Sequence, residues 1–122
     1  MPGRLREETL DRVVEYGRRI LSLAEQLESD RRPRRVIDQL IGSGTSVGAN
    51  LFEAHEAMSK ADFIKCLSIA AKELHETMFW LRVMLRQSYY STDRLEPLLQ
   101  ESDELLAIIK TIIARTKQNM DS

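Results

Sequence analysis

The chain has 122 residues, 43% hydrophobic and 30% charged, which is enough apolar material for one core and too much for a disordered segment. Eighteen Lys and Arg against nineteen Asp and Glu leave a formal net charge of -1, so no overall basic field draws the chain toward nucleic acid. A single cysteine excludes an internal disulfide framework and a Cys-rich zinc cluster, and five glycines with three prolines are few for an all-β chain. No apolar run reaches the length of a membrane span, and Met1 to Arg6 lacks a signal-peptide pattern. The expectation is one soluble, cytoplasmic helical domain over residues 1–122.

The first predicted helix covers about 5–28. Leu10, Val13, Val14, Gly17, Ile20, Leu21, Ala24 and Leu27 recur at steps of three and four and are expected to form its buried face. Asp11, Arg12, Glu15, Arg18, Arg19, Glu25 and Gln26 lie opposite, with Glu8–Arg12 and Glu15–Arg19 in the favourable i,i+4 order. Glu28 to Arg32 breaks the run, and Pro33 suits the first turn of a second helix over about 33–57.

That second helix opens with Val36, Ile37, Leu40 and Ile41, then meets Gly42, Ser43, Gly44, Thr45, Ser46, Val47, Gly48 and Ala49. Three glycines inside a helix are unfavourable by about 2–3 kcal/mol relative to alanine, which keeps a loop as the alternative. Periodicity resumes at Leu51 and Phe52, however, and Gly44 and Gly48 stand four apart on one face, where another helix backbone could come close.

Ser59 begins a third helix over about 59–89. It can cap, Asp62 follows three residues on, and Met58 and Phe63 occupy hydrophobic-staple positions. Ile64, Leu67, Ala70, Ala71, Leu74, Met78, Leu81 and Leu85 suit a bundle core, while Cys66, Ile69, Trp80 and Val83 form a second apolar stripe that needs further cover. Glu73 and Glu76 interrupt this stripe beside Lys72. Unpaired burial would be unfavourable, so they are expected either exposed or paired across an interface with basic or amide groups such as Asn50. The fourth helix, about 93–119, begins with Asp93 and Glu96 as a capping box, tolerates Pro97 near its start, and repeats Leu95, Leu98, Leu99, Leu105, Leu106, Ile109, Ile112 and Ile113. Short connections imply antiparallel neighbours, so the predicted fold class is all-α, an up-down-up-down four-helix bundle.

Catalytic patterns are thin. A di-metal carboxylate bundle needs Glu-x-x-His on two helices. Here Glu53-x-x-Glu56 and Glu73-x-x-Glu76 are present, but His55 and His75 follow Phe52 and Lys72 at that spacing. Cys66 lies in an apolar stripe and reads as a small buried hydrophobe rather than a nucleophile. No cofactor and no small-molecule substrate are expected. The strongest charge cluster is Arg31, Arg32, Arg34 and Arg35 around Pro33, which can grip phosphates or form a solvated loop.

Ser43-Gly44-Thr45-Ser46-Val47-Gly48-Ala49-Asn50, Glu53-Ala54, Ser59-Lys60-Ala61-Asp62-Phe63 and the run Glu73 to Leu81 closely resemble the four helix bundle protein family, whose founding members are encoded in intervening sequences of bacterial 23S ribosomal RNA genes. The resemblance spans about Val13 to Ile113. It implies a left-turning antiparallel bundle assembled as a homopentameric ring. Related proteins of diversity-generating retroelements bind a reverse transcriptase and nucleic acid through a strongly basic surface. By carry-over, Gly44, Gly48 and Asn50 mark a close-packed second helix, and Glu53, Lys60, Asp62, Glu73 and Trp80 are structural or interface positions. This chain departs from the pattern in having Ile41 and Gly42 where many relatives carry arginines, and its pI is about 6.1.

The reading that follows is a non-enzymatic oligomeric scaffold whose partner is itself, with Cys66, Ile69, Glu73, Trp80 and Val83 meeting a neighbouring subunit. The alternative is an accessory protein binding RNA, DNA or a nucleic-acid enzyme through Arg31, Arg32, Arg34 and Arg35 repeated round the ring.

Overall fold

The structure is a computed structural model describing residues 5–121. Four α-helices account for nearly all of it: α1 (Glu7–Ser29), α2 (Arg34–His55), α3 (Lys60–Arg86) and α4 (Thr92–Asp121), with no strand among the described residues. They form a bundle in which α2 packs broadly on α1 and α3, α3 packs on α4, and α1 meets α4 over a shorter stretch. No helix among the described residues is long and apolar enough to cross a membrane.

The connections are short because the chain terminates each helix locally. At the ends of α1 and α3 the N–H groups of Arg31 and Ser88 bond back to Glu28 and Leu85, and those of Arg32 and Tyr89 reach the carbonyls of Leu27 and Met84. These are Schellman ends with Arg31 (φ 56°) and Ser88 (φ 59°) in the left-handed position that glycine usually fills. At the starts, Ser59 caps α3 by accepting from the Asp62 N–H at 3.1 Å. Ser91, not Asp93, caps α4, accepting from the Arg94 N–H at 3.3 Å. Pro33 caps α2 through its carbonyl, which takes the Val36 and Ile37 N–H groups, and so stands just before the first turn. The expected staple is not formed: Phe63 is in the core, but Met58 is 85% exposed.

The core fills with Leu, Ile and Val from all four helices, and the buried side of α1 differs from the expected one. Leu10, Val13, Tyr16, Ile20, Leu23, Ala24 and Leu27 are buried, while Val14 and Leu21 are turned out at 58% and 47% exposure. At 100° per residue, Val14, Gly17 and Leu21 form a separate stripe beside the core stripe. The i,i+4 pairs of α1 give way as well. Arg12 reaches across to α4 and binds Glu101 with both Nε (3.0 Å) and Nη2 (2.7 Å), adding Glu104 at 3.1 Å. Glu15 takes Arg18 in place of Arg19. A forked guanidinium on a carboxylate outcompetes a single exposed contact along the helix.

The small-residue stretch is helical throughout. A Cβ at Gly44 would lie 2.6–2.9 Å from three side-chain atoms of buried Ile20, whereas one at Gly48 would lie 3.4 Å from the Val13 carbonyl oxygen, and one at Gly42 would meet nothing within 4 Å. The close backbone approach is therefore at Gly48, and Gly44 instead makes room for a branched side chain of α1.

Each helix contributes a hydroxyl to the buried centre. Tyr16 and Ser102 hydroxyls are 2.6 Å apart, and Ser102 donates to the Leu98 carbonyl at 2.8 Å. Thr77 donates to Ser43 Oγ at 2.9 Å and to the Glu73 carbonyl at 2.8 Å. Burial pushes Tyr16 up to about 12, against the opposing hydrogen bond from Ser102.

Two outcomes follow for stability. Gly42→Ala gains helix propensity with no contact to disturb and stabilises the fold by about 1 kcal/mol, read as a higher denaturant midpoint. Gly44→Ala displaces Ile20 and lowers stability despite the same propensity gain, by roughly 1–2 kcal/mol net. Second, the unfolded chain releases its tyrosine protons near pH 10 while folded Tyr16 holds its own to about 12. Stability from this group is thus complete below pH 10 and is lost as pH rises from 10 to 12, a slope that shrinks in Tyr16→Phe when unfolding is measured across that range.

Candidate interaction surface

The polar residues singled out in the sequence are largely consumed by their own chain. Gly44 and Gly48 face α1. The Asn50 amide donates back along α2 to the Ser46 carbonyl at 2.9 Å and to Ser46 Oγ at 3.1 Å, so it is spent within its own helix. Glu53 is exposed. Glu73 is half-buried and Glu76 exposed; burial first, then the adjacent Glu76 charge, raises the Glu73 carboxyl above its ordinary value. Cys66 is half-buried, and burial, reinforced by the negative charges of Glu53 and Asp62, pushes its thiol up. That favours the protonated, unreactive form. Among the described residues no group of three or more His, Cys, Asp or Glu is gathered to hold a metal ion.

The four arginines divide. The Arg32 guanidinium sits 4.2 Å over the Tyr89 ring, tying the α1–α2 connection to the α3–α4 connection. Beside it Tyr90 donates to Asp30 at 2.7 Å, a bond that, with Gln26, holds the Asp30 carboxyl below its usual range. Arg34 pairs with Glu28 at 3.2 Å and Asp38 at 3.4 Å. Arg31 and Arg35 are exposed, and neither makes an ion pair among the described residues. Two guanidiniums thus serve the fold and two remain for solvent or a ligand.

The second stripe of α3 is partly covered by the chain itself. Cys66, Ile69, Trp80 and Val83 are all half-buried, Cys66 and Trp80 pack against the core, and the Trp80 indole Nε1 is enclosed with no acceptor. What projects is Phe79, 57% exposed, its ring edge-on to Trp80 at 5.1 Å between centroids. A second apolar surface lies over the seam of α1 and α2, a groove of about 440 Å³. Val14, Leu21 and Phe52 line it with Gly17, Gly48, Ala49 and the cation Arg18. Phe52 is 47% exposed. The groove was missed in the sequence because Val14 and Leu21 read as core; the spacing Val14, Gly17, Leu21 was its one signal.

On the far side, α1 and α4 meet over a shorter stretch that carries the bonds of Arg12 with Glu101 and Glu104 and of Tyr16 with Ser102.

Known proteins resolve the family. The 23S rRNA-intervening sequence protein family matches residues 8–111, from the first turn of α1 deep into α4. The chain belongs to that family. It is also similar to a solved protein of unknown function from the S23 ribosomal protein family of Bacteroides thetaiotaomicron, with 36% identity and a TM-score of 0.83 over 86% of this chain and 97% of that one. No curated protein is a significant match. The family fits the small-residue helix and the Glu73 to Leu81 run described above, both of which lie inside the matched region.

The state of Cys66 can be checked directly. With its thiol held protonated by burial and two nearby carboxylates, Cys66 is expected to react with a disulfide reagent at pH 8 several times more slowly in the folded protein than in denaturant.

Proposed function

We propose that this member of the 23S rRNA-intervening sequence protein family is a non-enzymatic scaffold that works as an oligomer of antiparallel up-down-up-down bundles, closing as a ring of five in the cytoplasm. The observation that carries the oligomer is the unpartnered apolar surface: Val14, Leu21, Phe52 and Phe79 are each about half exposed on a chain of 122 residues. The antiparallel arrangement is supported by the Leu5 N–H donating to Nδ1 of His55 at 3.1 Å, which sets the beginning of α1 against the end of α2, and by the Arg32–Tyr89 contact, which gathers the two loops at the other end. The number five rests on the resemblance to ring-forming relatives.

A second reading has its own observation. Arg31 and Arg35 are exposed at one end of the bundle, and rotation about a ring axis would repeat them along one rim as a multivalent phosphate-binding band. The names borne by the family and by the similar solved protein point toward ribosomal RNA as the nucleic acid to test first.

Light scattering on a sizing column, with absorbance recorded at 260 and 280 nm, separates the two. A mass several times 14.1 kDa with a protein-like absorbance ratio supports the scaffold. The same mass with strong 260 nm absorbance supports the nucleic-acid reading, provided that the excess is lost at high salt and in Arg31→Ala/Arg35→Ala. A mass of one chain overturns the oligomer.

A further inference from the structure

The start of α1 and the later turns of α4 leave a cavity of about 590 Å³ between them, within the size range of small-molecule sites. Thr9 and Arg12 reach it from one face of α1, and Ile108, Ile112 and Arg115 from one face of α4, each set at helical spacing. Leu5 and Phe63, both buried, complete an apolar lining with the two isoleucines.

Two polar groups of the lining have nothing to bind within the described residues. Thr9 is only 7% exposed, yet its hydroxyl makes no hydrogen bond there, whereas the buried hydroxyls of Tyr16, Ser43, Thr77 and Ser102 are all bonded. Its oxygen is not sealed in as Trp80 Nε1 is, so the cavity is what reaches it. Arg115 is exposed and has no carboxylate partner among the described residues. The other lining charges are matched already. Arg12 is held by Glu101 and Glu104, and Arg6 lies 3.3 Å from Glu8, the one carboxylate lining the cavity among the described residues.

We propose that this cavity binds a small carboxylic acid with an apolar body, its carboxylate on Arg115 and Thr9 and its hydrocarbon against Leu5, Phe63, Ile108 and Ile112. A long side chain on a helix leans over the preceding turn, which carries the Arg115 guanidinium back along α4 toward the level of Thr9. One free guanidinium matches one negative charge, and its fork suits a carboxylate. A cation would meet three guanidiniums against a single carboxylate that is already paired. A wholly apolar molecule would cover the Thr9 hydroxyl and leave it without a partner. The site lies within one chain and is independent of the oligomeric reading.

Calorimetric titration with sodium hexanoate at low salt tests this, with 1-hexanol as the uncharged match for the chain. The variants are Thr9→Val, which keeps the shape and removes the hydroxyl, and Arg115→Gln, which removes the charge at an exposed position; circular dichroism verifies that both stay helical. The expected result is saturable binding of one hexanoate per chain in the millimolar range. Arg115→Gln weakens it about tenfold, the scale of one charge-assisted bond, and Thr9→Val severalfold. Hexanol binds the wild type at least about tenfold more weakly than hexanoate does. The proposal is overturned if hexanoate does not saturate, if hexanol binds as well, or if either variant keeps the wild-type affinity.

Discussion

Four buried hydroxyls, one from each helix, pair two by two where the bundle is otherwise filled by Leu, Ile and Val. An apolar core tolerates sliding, because one aliphatic contact resembles another a turn away; a buried hydroxyl does not, because leaving it without a partner is unfavourable by about 1–3 kcal/mol. Tyr16 with Ser102 aligns α1 to α4, and Thr77 with Ser43 aligns α3 to α2. Gly44 adds the remaining restraint, since Ile20 fits only where no Cβ stands, which aligns α1 to α2. With these three alignments made, the heights of the outward residues are no longer free. Val14 and Leu21 come to flank Gly48, Ala49 and Phe52, and a groove exists because the core permits one register.

The same restraints explain why the two sides of the bundle differ. Where α2 lies on α1, small residues let the helices approach, and the outer surface left behind is apolar and open. Where α1 faces α4, contact is sparser and the joint is made by Arg12 on Glu101 and Glu104. A forked ion pair at that seam holds the helices while accepting water.

Much of this was legible from the sequence because it depends on short-range chemistry. Ser59 caps because a hydroxyl three residues before an N–H can accept from it. The small-residue run is helical because Leu51 and Phe52 continue the period of Ile37 and Leu40. What was not legible depends on partners far along the chain. Tyr16 is polar at its tip and sits between Glu15 and Gly17, yet it is buried because Ser102, 86 positions away, completes it. Arg12 looks like the i,i+4 partner of Glu8 until α4 brings Glu101 closer. Val14 and Leu21 have core-like side chains, and only their angle about α1 reveals that they lie outside. Counting apolar residues registers type, whereas burial depends on direction.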